Sequence, residues 1–202
     1  MNLNALRFGL DTFGDMQNDD AGQPIHAAQV IRNLVDQAIL ADELGIDNIN
    51  VGEHHRDDFA VSAPDTVLAG IATRTKRIVL GTGVTVLSSD DPVRVYERFA
   101  TLDALSNGRA EITAGRGSFI ESFPLFGYSL DDYSILFEEK LQILSELIKE
   151  TPVNWSGSIR TPLINQEVYP KTENGHIPVR VGVGGTPESV VRAARLGMPM
   201  AL

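Results

Sequence analysis

Arg77-Ile78-Val79-Leu80-Gly81-Thr82-Gly83-Val84-Thr85-Val86-Leu87 is apolar or β-branched almost throughout. A strand with one wet face alternates polar and apolar residues, whereas an unbroken apolar run marks burial on both faces, as inside a parallel sheet. Helices are expected on either side in sequence. Pro64 opens one that should run through Arg74, because the donor that proline lacks costs little in a first turn. Val93 to Leu105 reads as the next helix.

The alternation continues outward. Toward the N-terminus, Asn48 to Gly52 reads as a strand ending at Glu53-His54-His55. Before it, Ala27, Val30, Ile31, Leu34, Ala38, Ala41 and Leu44 recur at helical spacing, with Gly45 placed to stop the helix. Residues 14–25 form a polar loop, and Ala5 to Phe13 a first strand. Toward the C-terminus the expected elements are a strand at Arg109 to Ala114 and a helix at Asp132 to Lys149. Residues 151–178 then break the rhythm as an excursion, with a hairpin between Val153 to Trp155 and Gln166 to Tyr169. A strand at Val179 to Val183, a helix at Pro187 to Leu196 and the start of a sixth strand at Met198 to Leu202 follow. About five and a half βα units result, read as one α/β domain over residues 1–202.

Such units build either an open doubly wound sheet or a closed eight-stranded barrel. Asp11, Glu53 to His55, Thr82 to Val84, Gly115 to Gly117 and Gly184 to Thr186 all fall where strands hand over to loops. Groups from several strand ends converge when the strands ring a common axis, so the expected fold is a TIM (β/α)8 barrel. Eight units usually take about 250 residues. A sequence reaching only strand 6 is expected to be a C-terminally incomplete barrel, a fragment of a longer protein, or a chain whose edge a partner covers.

Composition narrows the function. With 43% hydrophobic and 22% charged residues, 18 Gly and 10 Pro, the chain is neither disordered nor collagen-like. A formal net charge of -10 excludes a whole-molecule field that gathers nucleic acid or an anionic membrane, while leaving room for a local pocket that binds one phosphate. Zero Cys excludes a disulfide scaffold, a thiolate nucleophile and Cys-bound metal, so redox chemistry would need a cofactor. No signal-type segment or long apolar span is legible, and the cytoplasm is the expected compartment.

Three groups can carry chemistry. In Glu53-His54-His55, histidine can exchange a proton near neutrality and a carboxylate can orient a neighbouring imidazole. Adjacent side chains on a strand point to opposite faces, so one histidine should enter the pocket. A metal reading would need further ligands such as Asp11 and His176. Gly115-Arg116-Gly117 places a guanidinium between two glycines after a strand, suited to a phosphate or planar anion. Gly182 to Ser189 places glycines before a proline-started helix, a second phosphate cradle. Phe59, Phe99, Phe119, Phe123, Phe126, Tyr128, Tyr133 and Phe137 supply aromatic surface, some of it able to cover a cofactor ring.

Taken together, Val51-Gly52-Glu53-His54-His55, Leu80 to Leu87, Asp91-Pro92-Val93-Arg94, Leu102 to Arg109 and Gly182 to Val190 resemble the bacterial luciferase-like flavin-dependent monooxygenases, over Arg7 to the last residue. The resemblance implies a barrel that uses reduced FMN and O2 to oxygenate a small organic substrate through a C4a-peroxyflavin. It implies His54 as the catalytic histidine, Glu53 as support for the strand end, and His55 turned toward packing. Thr82, Gly83 and Val84 would lie beneath the flavin ring, with a cis peptide at Gly83-Val84. Arg116, Gly117, Gly184, Gly185 and Thr186 would hold its phosphate. A homodimer is implied, as is a possible flavin reductase partner, but no nucleic-acid or membrane partner. Three departures stand out. Gly115 matches the luciferase thiol, Ser134 matches a further phosphate-binding arginine, and the last two strands are missing. Competing readings are a non-catalytic flavin-binding or structural barrel fragment and a metal-dependent TIM-barrel hydrolase.

Overall fold

The computed structural model describes residues 6–184 and 187–202. Strand β1 (Gly9–Thr12) leads to helix α1 (Ala27–Leu44), β2 (Asn48–Val51), α2 (Pro64–Ala72), β3 (Val79–Thr82) and β4 (Thr85–Val86). Helix α3 (Pro92–Ser106), β5 (Ile112–Gly115), a short α4 (Ser122–Leu125) and α5 (Tyr133–Leu147) follow. The chain ends with β6 (Val153–Trp155), β7 (Leu163–Gln166), β8 (Val179–Gly182), α6 (Pro187–Arg195) and β9 (Met200–Ala201).

The helices start and stop where local chemistry dictates. Helix α1 keeps the expected bounds: the His26 ring accepts the Ala28 N–H, and Gly45 closes the helix at φ 84°, a left-handed conformation natural to glycine. Asp91 caps α3 by accepting the Val93 and Arg94 N–H groups, with Pro92 in the first turn. Buried Asp42 of α1 receives the backbone N–H groups of Lys76, Arg77 and Ile78 at 3.0, 2.8 and 2.7 Å, fixing the entry to β3. Burial would raise its pKa, but these donors and Arg77 outweigh burial and lower it.

Strands β1, β2 and β3 pair in parallel, as do β4, β5, β8 and β9 in that order. Parallel bonding of Leu80 with the chain around Ala110 joins the two runs. Strand order thus follows chain order, without the reversal that defines a doubly wound sheet, and this is the progression of a (βα)-barrel wall. The core sits between the wall and helices α2, α3 and α5, around Leu68, Ile71, Leu80, Phe99, Ile112, Leu141 and Leu144. Every residue of β5 is buried, as the unbroken apolar reading of an inner strand requires.

Two expected elements differ. The run from Arg77 to Leu87 is two short strands, β3 and β4, on either side of a cis Gly83–Val84 peptide, which the family resemblance implied. The return strand of the hairpin is Leu163–Gln166 instead of Gln166 to Tyr169, with Val153 opposite Gln166 and Trp155 opposite Leu163. Val168 and Tyr169 leave the ladder before Pro170, which has no N–H to contribute. Glu150 ties this excursion to α3 by accepting bonds from the Tyr96 hydroxyl at 3.0 Å and the Thr172 N–H at 2.8 Å.

At the N-terminal end of the wall, the Arg109 guanidinium donates to the carbonyls of Ala72, Thr75, Ile78 and Ser106 at 2.6–3.1 Å. That end is closed by structural bonding. The opposite end is concave.

Candidate active site

A cavity of about 490 Å³ opens at the C-terminal ends of the strands. Asp11 of β1, Asn50 of β2, Thr82 of β3, Gly115 of β5, Gly182 of β8 and Ala201 of β9 all line it. Six strands therefore contribute to one concavity, the arrangement expected of a barrel's active end. The Asn50 amide donates to Asp11 at 2.7 Å, so the β1 and β2 ends are bonded across the floor.

Backbone approaches closely on one side. An added Cβ on Gly115 would lie 2.5 Å from Val84 Cγ2, and Gly117 combines φ 78° with a Cβ position 2.9 Å from Val86 Cγ1. Glycine is required at both positions by space, and at Gly117 also by conformation. Arg116 between them lies over the Tyr133 ring, 5.2 Å from its centre, and makes no hydrogen bond or ion pair with the described residues. At the cavity wall its guanidinium donors are uncommitted to any of those residues. Thr82, Gly83, Val84, Gly117 and Gly184 line the same cavity. Gly185 and Thr186 lie outside the described residues. Ser134 is exposed, one residue beyond the Tyr133 that supports Arg116.

A second cavity of about 280 Å³ shares the Phe13, Gly83-Val84 and Gly117-Ser118 walls with the first. Phe13, Phe59 and Phe119 give it aromatic walls, beside the Glu53 and Glu121 carboxylates. The His54 ring lies 4.9 Å from Phe13, 4.2 Å from Phe59 and 5.0 Å from Phe119. Backbone bonds between the first two strand-end loops, Met16 N–H to Asp58 and Ala60 N–H to Gly14, bring Phe13 beside Phe59. His54 Nε2 is buried without a hydrogen-bond partner. Burial lowers the His54 pKa, and Asp58 and Asp15 offset this only in part, so the imidazole is neutral near pH 7.

Glu53 does not hold His54. Its carboxylate pairs with His55 at 3.0 Å and accepts the Val86 N–H at 3.1 Å, binding the β2 end to β4. Burial raises the Glu53 pKa, with the His55 and Val86 contacts opposing. His55 also meets the Phe126 ring edge-on at 5.1 Å. Among the described residues no three His, Asp or Glu side chains gather as a metal site would need, so Asp11 and His176 do not extend the Glu-His-His group.

Sequence reading missed Phe13, Asn50 and Glu121 as lining residues, and Arg56 behind them. Arg56 stacks over Phe119 at 4.7 Å while bonding Asp58 at 2.9 Å and Glu121 at 3.1 Å. Arg56 stands beside Asp57 and Asp58 in sequence, and nothing local ties it to a residue as far along the chain as Glu121.

The comparisons agree with this geometry. The family model described as luciferase-like monooxygenase matches residues 10–202. The monooxygenase RslO1 from Streptomyces bottropensis superposes with a TM-score of 0.84 at 28% identity, over 98% of this chain and 59% of that one. The F420-dependent glucose-6-phosphate dehydrogenase of Amycolatopsis mediterranei (strain U-32) is 30% identical over 163 residues, 76% of this chain and 48% of its own. The N-acetyl-S-alkylcysteine monooxygenase of Bacillus subtilis (strain 168) is 29% identical over 180 residues, 88% of this chain and 52% of its own. The chain thus spans about half the length of these curated relatives. Among the described residues no helix is long and apolar enough to cross a membrane.

Proposed function

The chain belongs to the luciferase-like monooxygenase family, and from that premise we propose that it binds reduced FMN in the larger cavity and serves oxygenation of a small organic molecule held in the aromatic one. The observation that carries this reading is the shared Gly83-Val84 wall, with an uncommitted guanidinium on one side and an unpartnered imidazole nitrogen on the other. The residues fit a flavin phosphate: Arg116 has donors that bond none of the described residues, and the Cβ-less Gly115 and Gly117 allow close backbone approach. When bound, reduced FMN supplies two electrons to O2, one oxygen atom going to the substrate and the other to water.

The chain's own residues supply positioning, proton handling and dryness. Arg116, beside the Tyr133 ring, binds the phosphate, with Gly184, Gly185 and Thr186 as its second cradle. Thr82, Gly83 and Val84 support the ring. His54 Nε2 holds or takes a proton at the reacting edge, and as a neutral group it can do either. Phe13, Phe59 and Phe119 exclude water around it. Glu53 acts through the fixed strand end, not by touching His54. We further propose that the chain forms the first part of a TIM barrel, through about strand 6, that reduced flavin comes from a separate reductase, and that the chain forms a homodimer.

A second reading has a specific support, the F420-dependent relative. The same phosphate anchors would suit a deazaflavin, and His54 would then serve a hydride transfer. Titration of the chain with FMN, reduced FMN and F420 separates the two, followed by O2 admission and product analysis. Binding of FMN in preference to F420, with Arg116→Ala weakening it, is expected. Binding of neither overturns both readings.

A further inference from the structure

This inference rests on the larger cavity being the flavin site and concerns how the flavin ring is held there. Among the described residues, Asp11 and Arg116 carry the two charged side chains that line this cavity. Arg116 follows β5, whereas Asp11 lies in β1, with β2, β3 and β4 between them in the wall. Over Gly81, beside Asn50, the Glu111 carboxylate is paired with Arg180 at 2.5 Å and leaves no uncompensated charge there. The cavity is therefore cationic on one side and anionic on the other.

Asp11 is exposed, and its place in the cavity lining opens its carboxylate to a ligand. The Asn50 amide donates to Oδ1 at 2.7 Å and fixes the group, while Oδ2 bonds none of the described residues. An added Cβ on Gly83 would lie 3.5 Å from Oδ1, so the carboxylate stands beside the wall that supports the ring. An ionised carboxylate only accepts hydrogen bonds. The oxidised isoalloxazine ring carries a single N–H donor, at N3, and its other polar atoms are acceptors that a carboxylate would repel. The ribityl hydroxyls also donate, but they lie between ring and phosphate, on the Arg116 side of the ring.

We infer that Asp11 positions the flavin by accepting the N3–H on its free oxygen, with Asn50 holding the carboxylate in place and Arg116 taking the phosphate at the other end. Asp11 is then a cofactor-binding residue and Asn50 a positioning residue, and the pair selects rings that present an N–H at that edge.

Fluorescence titration of the 202-residue chain with oxidised FMN and N3-methyl FMN tests this, since the methyl group removes the donor and leaves the phosphate intact. FMN should bind about tenfold or more tighter than the methylated form, a hydrogen bond to a charged acceptor being lost. Asp11→Asn keeps an oxygen for the Asn50 amide and turns an N–H donor toward the ring. It should weaken FMN by about tenfold or more while leaving N3-methyl FMN within about threefold of its affinity for the parent. The comparison in the parent decides by itself, whatever the variant does to folding: equal binding of the two flavins overturns the proposal. A preference for FMN that survives Asp11→Asn in a folded variant overturns it too, by placing the N3–H on another acceptor. FMN binding without discrimination removes the role of Asp11 and leaves the cofactor reading standing, whereas binding of neither flavin overturns both.

Discussion

Glu53 and His55, two residues apart, bind each other at 3.0 Å, and His54 between them points away into the ring box. The division falls in the loop just past β2, which ends at Val51: the carboxylate has a structural partner there, and Nε2 of the middle imidazole has none.

The unpartnered state of His54 has a pH consequence. Its pKa is lowered from 6.5 by burial, so between the lowered value and 6.5 the unfolded chain binds more protons than the folded one. Stability should therefore rise with pH across that window and level off above it. His54→Phe, which suits the aromatic surroundings, should flatten the slope below about pH 6.5. Urea unfolding at stepped pH measures this; an unchanged slope in the variant would show that another group carries it.

Arg116 should discriminate phosphate from ring. Because its donors bond none of the described residues and its guanidinium lies 5.2 Å from the centre of the Tyr133 ring, Arg116→Ala should weaken FMN binding by about tenfold to a hundredfold, a charge-assisted contact being lost. Riboflavin, which lacks the phosphate, should bind the variant and the parent alike. Fluorescence titration of the two ligands reads the difference, and equal losses for both would place Arg116 elsewhere than at a phosphate.

Gly115 and Val84 share one space. Gly115→Ala would bring a Cβ to 2.5 Å from Val84 Cγ2, and such overpacking should cost about 1–3 kcal/mol. Val84→Ala in the same chain should recover part of the loss, visible as a raised melting temperature relative to the single variant. Additive destabilisation would mean that the two side chains do not compete.

Lys140 sits on the buried face of α5, donating to the Ser88 carbonyl at 2.7 Å and lying 3.9 Å from the centre of the Tyr128 ring. Burial lowers its pKa to about 8 from 10.5. Between these values the unfolded chain holds the extra proton, so stability relative to Lys140→Met should climb with pH, by on the order of 3 kcal/mol in all. Paired urea titrations at pH 7.5, 9 and 10.5, the midpoints chosen to span about that window, would show the climb. A pH-independent difference would argue that Lys140 stays charged throughout.

Much of the fold was legible because its signals are local. Apolar spacing and Gly45 place α1 at its observed bounds, and the unbroken run from Arg77 to Leu87 marks the inner wall. Strand-end positions likewise gather Asp11, Thr82, Gly115, Arg116 and Gly184 at one cavity. The ring box was not legible. Phe13, Phe59 and Phe119 lie on three loops, and each alone reads as an ordinary anchor. Lys140 shows the same limit from the other side, since a charged residue on an apolar stripe gives no hint of the Ser88 carbonyl that receives it.

Arg56 is the residue on which the box depends from outside. It joins the loop after β2 to the loop after β5 by bonding Asp58 and Glu121 while covering Phe119. Its guanidinium is solvent-facing, so salt screens both ion pairs and little global stability should ride on them. The local effect should be larger, because Phe119 has His54 and Phe59 on its inner side and Arg56 on its outer side. Arg56→Ala should therefore leave the unfolding midpoint nearly unchanged while amide exchange across residues 118–122 quickens by about tenfold, as expected of a local opening. High salt should move the parent part of the way toward the variant. Arg56→Lys should rescue little, since an ammonium can neither bond both Asp58 oxygens through a planar fork nor stack on the ring. Unchanged exchange in Arg56→Ala would mean that the two loops hold the box closed without the clasp.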